Sequence, residues 1–330
     1  MIYEVYKDLT APLHIWYHYK RRNCEGGENG KTAFSSRAQT EEQLSKMQIL
    51  YNLGKEKTGM LLCIDIGNTS ISFGTFEVSP NGQPKLIFSS EISSCERRST
   101  DEYAVLFKEI FSLKSSVQGA IDPIDAVAIS SVVPTLTDRI ASAAQLFSGC
   151  SSRPYIIGPG IKTGFKIAID DPASLGADIV SDCAAALDLF EPPITIFDAG
   201  TVNTVTVIDK ERTVLGSIFT PGVRISAESL SQNAELIESV AIGTDIAPLI
   251  GKNTEEALKS GIINGNSAML DGTIRNLREI LIDKNSDEKL ALVSTGEYAE
   301  IILRNCRNKF TYDPALTLRG IAALYVRNRM

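Results

Sequence analysis

The sequence contains one short pattern twice, and this repeat constrains the fold more than any other feature. The two copies are LLCIDIGNTSISFG at residues 61–74 and ITIFDAGTVNTVTV at residues 194–207. In each copy, apolar and β-branched residues lead into an Asp-x-Gly turn, and an alternating strand follows the turn. Each copy therefore predicts a β-hairpin, and the repetition predicts two related half-domains.

The two turns carry groups that suit phosphate binding. Gly67 and Gly200 have no Cβ, so their backbone lets N–H groups come close to phosphate oxygens. The polar side chains beside them are Asn68, Thr69 and Thr201. Asp65 and Asp198 end the preceding strands, and a carboxylate beside a phosphate requires a cation between them. The pattern predicts nucleotide chemistry with Mg2+ or another ion, although a single copy would also suit an ordinary structural turn.

A pair of Asp-Gly hairpins that face one cleft resembles the plan of the acetate and sugar kinase, Hsp70 and actin superfamily. We therefore expect an α/β fold with two related ribonuclease H-like half-domains, which is the actin-like ATPase duplication, and a cleft between them. The predicted divisions are an N-terminal extension at 1–59, a first half at 60–175 and a second half at 176–330.

Composition agrees with this architecture and excludes several classes of function. A chain of 330 residues with 43% hydrophobic residues is long enough for two cores of ordinary size. A net charge of -7 argues against a general nucleic-acid surface. No apolar run has the length of a membrane span, and the N-terminus lacks a signal-peptide core. We expect a cytoplasmic protein with neither a nucleic acid nor a membrane as partner.

Cysteine and histidine usage narrows the chemistry further. The six cysteines are scattered without a Cys-x-x-Cys pair, so neither a zinc site nor a disulfide framework is indicated. The two histidines, His14 and His18, lie in the N-terminal segment. Ser-His and Cys-His catalysis is therefore excluded from Met60 onward, and the general base must be a carboxylate, Lys, Tyr or Cys.

Residues 1–59 differ from the rest because basic and polar stretches separate weak aromatic patches there. We expect this segment to be disordered or to result from a misassigned start codon, and a partner-binding arm around Trp16 is the alternative. From Met60 onward strands and helices alternate. Helices are predicted at 135–147, 175–189 and 253–282, the last one broken near Gly261 and Gly265, and a terminal helix after residue 316.

From Met60 onward the chain resembles the type III pantothenate kinases, which are members of the same superfamily. The motifs that carry the resemblance are DIGNT at 65–69, RSTDEY at 98–103, SSVVP at 130–134, KTG at 162–164, DPASLGAD at 171–178, DAGT at 198–201, PGV at 221–223, IGKNT at 250–254 and SG at 260–261. The resemblance implies transfer of the ATP γ-phosphate to the terminal hydroxyl of pantothenate. The product would be 4'-phosphopantothenate, in the first step of coenzyme A biosynthesis.

The resemblance also implies roles for particular residues. Asp178 would be the catalytic base, and Gly176, Ala177 and Asp178 would contact the substrate. Asp65 would hold Mg2+, and Asp198 would hold a monovalent cation, K+ or NH4+. The ATP phosphates would be bound by Asp65, Gly67, Asn68, Thr69, Gly200 and Thr201. Thr254 would reach the substrate of the partner chain in a homodimer.

Two of these residues also fit a purely structural interpretation. An acid in the first turn of a helix, such as Asp178, is favoured there by the helix dipole. Thr254 lies in an Asn-Thr-Glu-Glu sequence that is typical of a helix N-terminus. From the residues alone, both interpretations stay open.

The chain departs from the family pattern at positions that would touch substrate. The family usually has Arg where this chain has Ile179, and often Tyr where it has Ile169. Loss of a cationic donor and a phenol weakens recognition of a carboxylate. Residues that would compensate are Lys162, Lys166 and Arg224, and Glu297 replaces a family glycine near the nucleotide. The alternatives are a weak or inactive regulatory member, or a phosphotransferase for another small hydroxy acid.

Overall fold

The computed structural model describes residues 58–330, apart from 81, 95, 97, 119–121, 238–239, 241, 244–247 and 284–288. The N-terminal extension is predicted at residues 1–59 and contains both histidines. Its residues 1–57 lie outside the described part of the chain. No helix in the described part of the chain combines the length and apolarity that crossing a membrane requires.

The first sheet is built around the first hairpin. Its strands are β1 (Gly59–Ile66), β2 (Ser70–Val78), β3 (Lys85–Ser93), β4 (Ala126–Ser131) and β5 (Tyr155–Ile156). They lie in the order β3-β2-β1-β4-β5, with β1, β2 and β3 antiparallel and with β4 and β5 parallel to β1. The central strand β1 is buried along most of its length, and Asp65 lies at its carboxyl end.

The second sheet repeats this topology. Its strands are β6 (Lys166–Ile167), β7 (Ile194–Ala199), β8 (Val202–Ile208), β9 (Thr213–Pro221), β10 (Ala291–Thr295) and β11 (Thr311–Tyr312). The order is β11-β10-β7-β8-β9-β6, so β7 to β11 correspond one by one to β1 to β5. The matching strand order confirms the predicted duplication of an α/β unit. The strand β6 pairs with β9, and the boundary at residues 175 and 176 stays a prediction.

Seven α-helices occur among the described residues, and a short 3-10 helix lies at Pro172–Ser174. The α-helices are α1 (Thr100–Gln118), α2 (Pro134–Ser148), α3 (Ala177–Leu189), α4 (Val223–Asn233), α5 (Thr254–Leu281), α6 (Ala299–Leu303) and α7 (Leu316–Arg329). The helices α1 and α2 cover one face of the first sheet, while α4, α5 and α6 cover one face of the second. The helices α3 and α7 pack on the remaining faces, and α3 contacts strands of both sheets. Asp178 therefore stands on a helix that both halves share.

The predicted break in the long helix is wrong. The helix α5 is continuous from Thr254 to Leu281. A Cβ at Gly261 or Gly265 would have no neighbour within 4 Å, so packing does not require glycine at either position. Each glycine costs the helix about 1 kcal/mol of intrinsic propensity relative to alanine. The residues around them, such as Ile262 and Ile263, are buried in the second core. Burial of the apolar face therefore outweighs the two glycines.

Candidate active site

All of the predicted site residues except Ala177 and Thr254 meet in one cleft of about 470 Å³. The first hairpin contributes Asp65, Gly67, Asn68 and Thr69, the second contributes Asp198, Gly200 and Thr201, and the start of α3 contributes Gly176 and Asp178. Ala177 lines an adjoining cavity of about 640 Å³. Thr254 lies apart from the cleft of its own chain, in a cavity of about 630 Å³ lined by α4 and α5.

The two hairpin turns touch each other. The Oγ1 atoms of Thr69 and Thr201 are 3.1 Å apart, although 132 positions separate these residues in the sequence. Gly67 N–H donates to the Ser70 carbonyl over 2.9 Å, which closes the first turn. The duplication thus brings the two turns to one point of the cleft.

Neighbouring segments support the two turns through equivalent hydrogen bonds. In the first half, Ser94 N–H donates to the Thr69 carbonyl over 3.0 Å. In the second half, Gly222 N–H donates to the Thr201 carbonyl over 3.1 Å. The donor in each case follows the third strand of its sheet, so the hydrogen bond is part of the repeated unit.

A second pair of equivalent hydrogen bonds holds the strand ends. Val132 N–H, after β4, donates to the Ile66 carbonyl over 3.1 Å. Tyr298 N–H, after β10, donates to the Ala199 carbonyl over 3.2 Å. Each Asp-x-Gly turn is therefore fixed on both sides before any ligand binds.

The carboxylates of the two hairpins lie in an unfavourable environment. Burial, followed by the nearby Asp178 carboxylate, raises the pKa of Asp65 to about 7, and the Ser130 hydroxyl on the paired strand partly offsets this rise. Burial and Asp178 also raise the pKa of Asp198. The buried carboxylates therefore repel one another, and a bound cation would relieve the repulsion.

Asp178 occupies the first turn of α3, where the chain leaves Gly176. Its Oδ1 accepts a hydrogen bond from the Ile179 N–H over 2.8 Å. A Cβ at position 176 would overlap this oxygen, so a side chain there would require the Asp178 carboxylate to move. Burial raises the pKa of Asp178, which favours acceptance of a proton. The position and the raised pKa suit a general base.

The oxygen ligands at the cleft suit Mg2+ or another hard cation that binds together with phosphate. Among the residues that the structure describes, no three His, Cys, Asp or Glu side chains converge to hold a metal ion by themselves. Mg2+ commonly binds one or two carboxylates and completes its shell with water and substrate phosphates. Asp65 and Asp198, with oxygen ligands at the cleft, match that arrangement.

Sequence reasoning did not identify two further acidic residues at or near the cleft. Asp182, only 3% exposed, accepts a hydrogen bond from Thr317 Oγ1 over 2.7 Å. Burial, then the Asp198 carboxylate, raises the pKa of Asp182 well above its ordinary value. Glu91 lines the cleft and accepts a hydrogen bond from Ser72 over 3.3 Å. The four-residue spacing from Asp178 was the available signal for Asp182, while Glu91 had none.

The residues that depart from the family pattern do not all lie at the cleft. Ile179 lines the cleft beside Asp178 and is 7% exposed, whereas Ile169 lines neither the cleft nor the adjoining cavity. Glu297 lines the cleft after β10.

At the start of α5, Asn253 Oδ1 accepts a hydrogen bond from the Glu256 N–H over 2.9 Å, so Asn253 rather than Thr254 provides the side-chain cap.

Comparison with known proteins supplies the family. A family model described as type III pantothenate kinase matches residues 61–276. A type III pantothenate kinase from an Exiguobacterium species is 32% identical over 270 residues, which are 82% of this chain and 100% of the relative. The Bacillus cytotoxicus type III pantothenate kinase is 30% identical over 269 residues, with 82% and 97% covered.

Solved structures match more distantly. The ethanolamine utilization protein EutJ from Carboxydothermus hydrogenoformans has a TM-score of 0.45 and 12% identity, over 80% of this chain and 89% of that chain. The fold assignment rests instead on the repeated strand order, and the family assignment rests on the sequence matches. The chain belongs to the type III pantothenate kinase family and is an enzyme of that family, which confirms the prediction from the motif series.

Proposed function

We propose that this enzyme transfers the γ-phosphate of ATP to the terminal hydroxyl of pantothenate and forms 4'-phosphopantothenate, in the first step of coenzyme A biosynthesis. One observation carries the proposal: both Asp-Gly hairpins and Asp178 line a single cleft. Phosphoryl transfer depends mainly on positioning and on neutralising charge, and hairpin turns with an adjacent carboxylate base provide both.

The hairpins would bind the nucleotide. Gly67, Asn68 and Thr69 would contact its phosphates from the first half, and Gly200 and Thr201 would do so from the second. Their contact across the cleft keeps the two turns within reach of one triphosphate. Backbone N–H groups fixed by the fold need no reorganisation when phosphate arrives.

Asp65 would hold Mg2+, and Asp198 would hold K+ or NH4+. The cations would neutralise phosphate charge during transfer. The pKa of each carboxyl is raised by burial and by Asp178, so each gains by facing a cation. Their positions at equivalent strand ends place one carboxylate on each side of the cleft.

Asp178 would accept the proton of the attacking hydroxyl, with Gly176 and Ala177 shaping the acceptor side. The hydrogen bond from the Ile179 N–H orients its carboxylate at the helix N-terminus. A carboxyl whose pKa is raised by burial is a stronger base than an exposed one.

The active form would be a homodimer in which Thr254 reaches the substrate of the partner. Support comes from exposed apolar side chains on β9, on α4 and in the segment between α4 and α5, at Leu215, Ile218, Phe219, Leu230, Leu236, Leu249 and Ile250. The corresponding strand of the first half, β3, exposes only polar residues. Exposed large apolar side chains of this number favour a protein contact. Light scattering of the full chain would give twice the 35.8 kDa of one chain.

The reaction would take place in the cytoplasm, with small molecules as its partners. The described cysteines Cys63, Cys150, Cys183 and Cys306 carry free thiols, which suits a reducing compartment. The net charge of -7 does not favour nucleic acid or an anionic membrane surface.

Replacement of the base tests the proposal. We expect Asp178→Asn to lower kcat for pantothenate by about 10²- to 10⁴-fold, because the hydroxyl loses its proton acceptor. The assay would use the full chain with ATP, Mg2+ and K+ or NH4+. The matched control is Asp188→Asn on the same helix, where the carboxylate pairs with Arg327 at 3.0 Å. Equal rates in wild type and Asp178→Asn would remove Asp178 from the mechanism, and a folded dimer without turnover would contradict the kinase proposal.

A further inference from the structure

The cleft continues beside Asp178 into a second cavity with apolar walls. This cavity, of about 640 Å³, shares Val132 and Gly176 with the cleft. Its lining includes Phe165, Leu175 and Val180, and no charged side chain lines it among the residues that the structure describes. An acceptor whose hydroxyl faces Asp178 would place the rest of its body at or near this wall.

The charged side chains that line the cleft are all acidic among the described residues. Five carboxylates line the cleft: Asp65, Glu91, Asp178, Asp198 and Glu297. Within the described part of the chain, neither the cleft nor the adjoining cavity is lined by Lys, Arg or His. The cations that accompany the nucleotide would be engaged by its phosphates. An anionic acceptor group would therefore meet repulsion without a compensating side chain.

The lysines beside the apolar cavity face away from it. In the segment 161–167, the odd-numbered residues Ile161, Thr163, Phe165 and Ile167 line the cavity, while Lys162 and Lys166 are exposed. This alternation is the one expected of an extended segment. These two lysines, which were the candidates for compensation, do not reach the cavity wall.

Nearby arginines are paired with acids of their own. Arg327 lies 3.0 Å from Asp188 Oδ1, and its guanidinium also donates to the Thr163 carbonyl. Arg319 lies 2.7 Å from Asp313 Oδ2. The third candidate, Arg224, lies 3.8 Å from Glu228 Oε1 and lines a separate cavity of about 260 Å³ beside Thr69.

We propose that the acceptor site recognises the hydroxyl and amide portion of its substrate and does not recognise a carboxylate. The substrate class is then a neutral pantothenate-like hydroxy amide, accepted at least as well as pantothenate itself. The inference rests on the proposed kinase function and deepens it. Ile179 lines the cleft beside Asp178 and offers an apolar side chain there.

Kinetics with a matched pair of acceptors test the inference. Panthenol carries a hydroxyl where pantothenate has its carboxylate. We expect kcat/KM for panthenol to equal or exceed that for pantothenate, whereas a site that pairs the carboxylate would favour pantothenate by about tenfold or more. A preference for pantothenate would overturn the inference and leave the kinase proposal standing. Turnover of neither acceptor would overturn both.

The salt dependence gives an independent readout. Raising the ionic strength with choline chloride at constant K+ screens charges around the site. We expect KM for pantothenate to fall, since repulsion by the acidic lining weakens, and KM for panthenol to stay constant. A KM for pantothenate that rises with salt would show an attractive cation and overturn the inference. The partner subunit would be its source, with Lys252 beside Thr254 as the candidate.

A charge introduced at the proposed position sharpens the test. We expect Ile179→Arg to shift the ratio of kcat/KM values about tenfold toward pantothenate, because a guanidinium would pair with the carboxylate. Leu189→Arg adds the same charge at an exposed position on α3 and should keep the wild-type ratio. Thermal unfolding would first establish that both variants are folded. An unchanged ratio in folded Ile179→Arg would contradict the assignment.

Discussion

The first and second hairpins share one hydrogen-bonding scheme but differ in how closely the surrounding backbone approaches. At the first turn the supporting N–H belongs to Ser94, which carries a side chain. At the second turn the same role belongs to Gly222, whose Cβ would collide with the carbonyl oxygens of Gly200 and Thr201. Gly296, with φ +96°, also lies against Ala199 and Asp198.

This difference shows that duplicated elements need not remain equally tolerant of substitution. The second turn has backbone packed against it on two sides, so its shape depends on the absence of side chains at Gly222 and Gly296. The first turn reaches the same geometry with ordinary residues at the equivalent position. Duplication preserved the hydrogen bonds, while the packing around them diverged.

The largest effect should come from a methyl group at the second turn. We expect Gly222→Ala to lower the free energy of unfolding by about 3 kcal/mol, since the collision is with backbone that cannot rotate away. Ser94→Ala, at the equivalent position of the first half, should cost less than about 1 kcal/mol. Urea unfolding of both variants measures the difference. Equal losses of unfolding free energy in the two variants would contradict the difference between the two turns.

A smaller effect should come from the hairpin carboxylates, and it should be similar in the two halves. The pKa of Asp65 is about 7 in the folded protein, far above its ordinary value, so the folded state holds a proton that the unfolded state releases. The free energy of unfolding without nucleotide should therefore fall as pH rises from about 4 to 7 and level off above that. Asp65→Asn removes this titration.

We expect Asp65→Asn to be more stable than wild type at pH 8, by about 1 to 2 kcal/mol, and to match it near pH 4. The gain is smaller than the full pKa change implies because the side chain lines the open cleft. Asp198→Asn should shift stability in the same direction, and Asp101→Asn, at an exposed site on α1, serves as the control. Denaturant unfolding between about pH 4 and pH 8 measures the free energy of unfolding of wild type and each variant. A wild-type pH slope in Asp65→Asn would contradict the prediction.

The smallest effect concerns the contact between the two turns. Thr69→Val and Thr201→Val should each cost about 0.5 to 1 kcal/mol, and a double-mutant cycle should show positive coupling of about 0.5 kcal/mol. The Thr206 and Ser217 pair, 2.9 Å apart within the second sheet, gives a reference cycle inside one half. Strictly additive costs for Thr69 and Thr201 would mean that the two turns do not support each other.

The fold was predictable where its determinants are local. Alternating apolar residues before Asp65 and Asp198 identify the two buried strands, and the turn residues identify the hairpins. Asp178 needed the family resemblance as well, because an acid in the first helical turn has an equally good structural explanation. The chemistry of the cleft was therefore visible in the motifs, while the particular base was not visible from periodicity alone.

The rest depends on contacts between distant parts of the chain. Nothing near Glu91 indicates that β3 brings it to the cleft, and nothing near Gly222 indicates the close approach to the second turn. The unbroken helix α5 is a similar case, because the burial of Ile262 and Ile263 overrides the low helix propensity of two glycines. Such features follow from tertiary packing, which a local pattern does not encode.

The position of α3 between the sheets has a consequence for cooperativity. Ile179 and Cys183 pack with strands of the second half, while Val180 and Ala184 pack with strands of the first. The C-terminal helix α7 likewise places Leu318 and Ile321 against the first sheet. Neither half keeps a complete core when the other is removed. The described body of the protein should therefore melt in a single calorimetric transition, despite its origin as two copies of one unit.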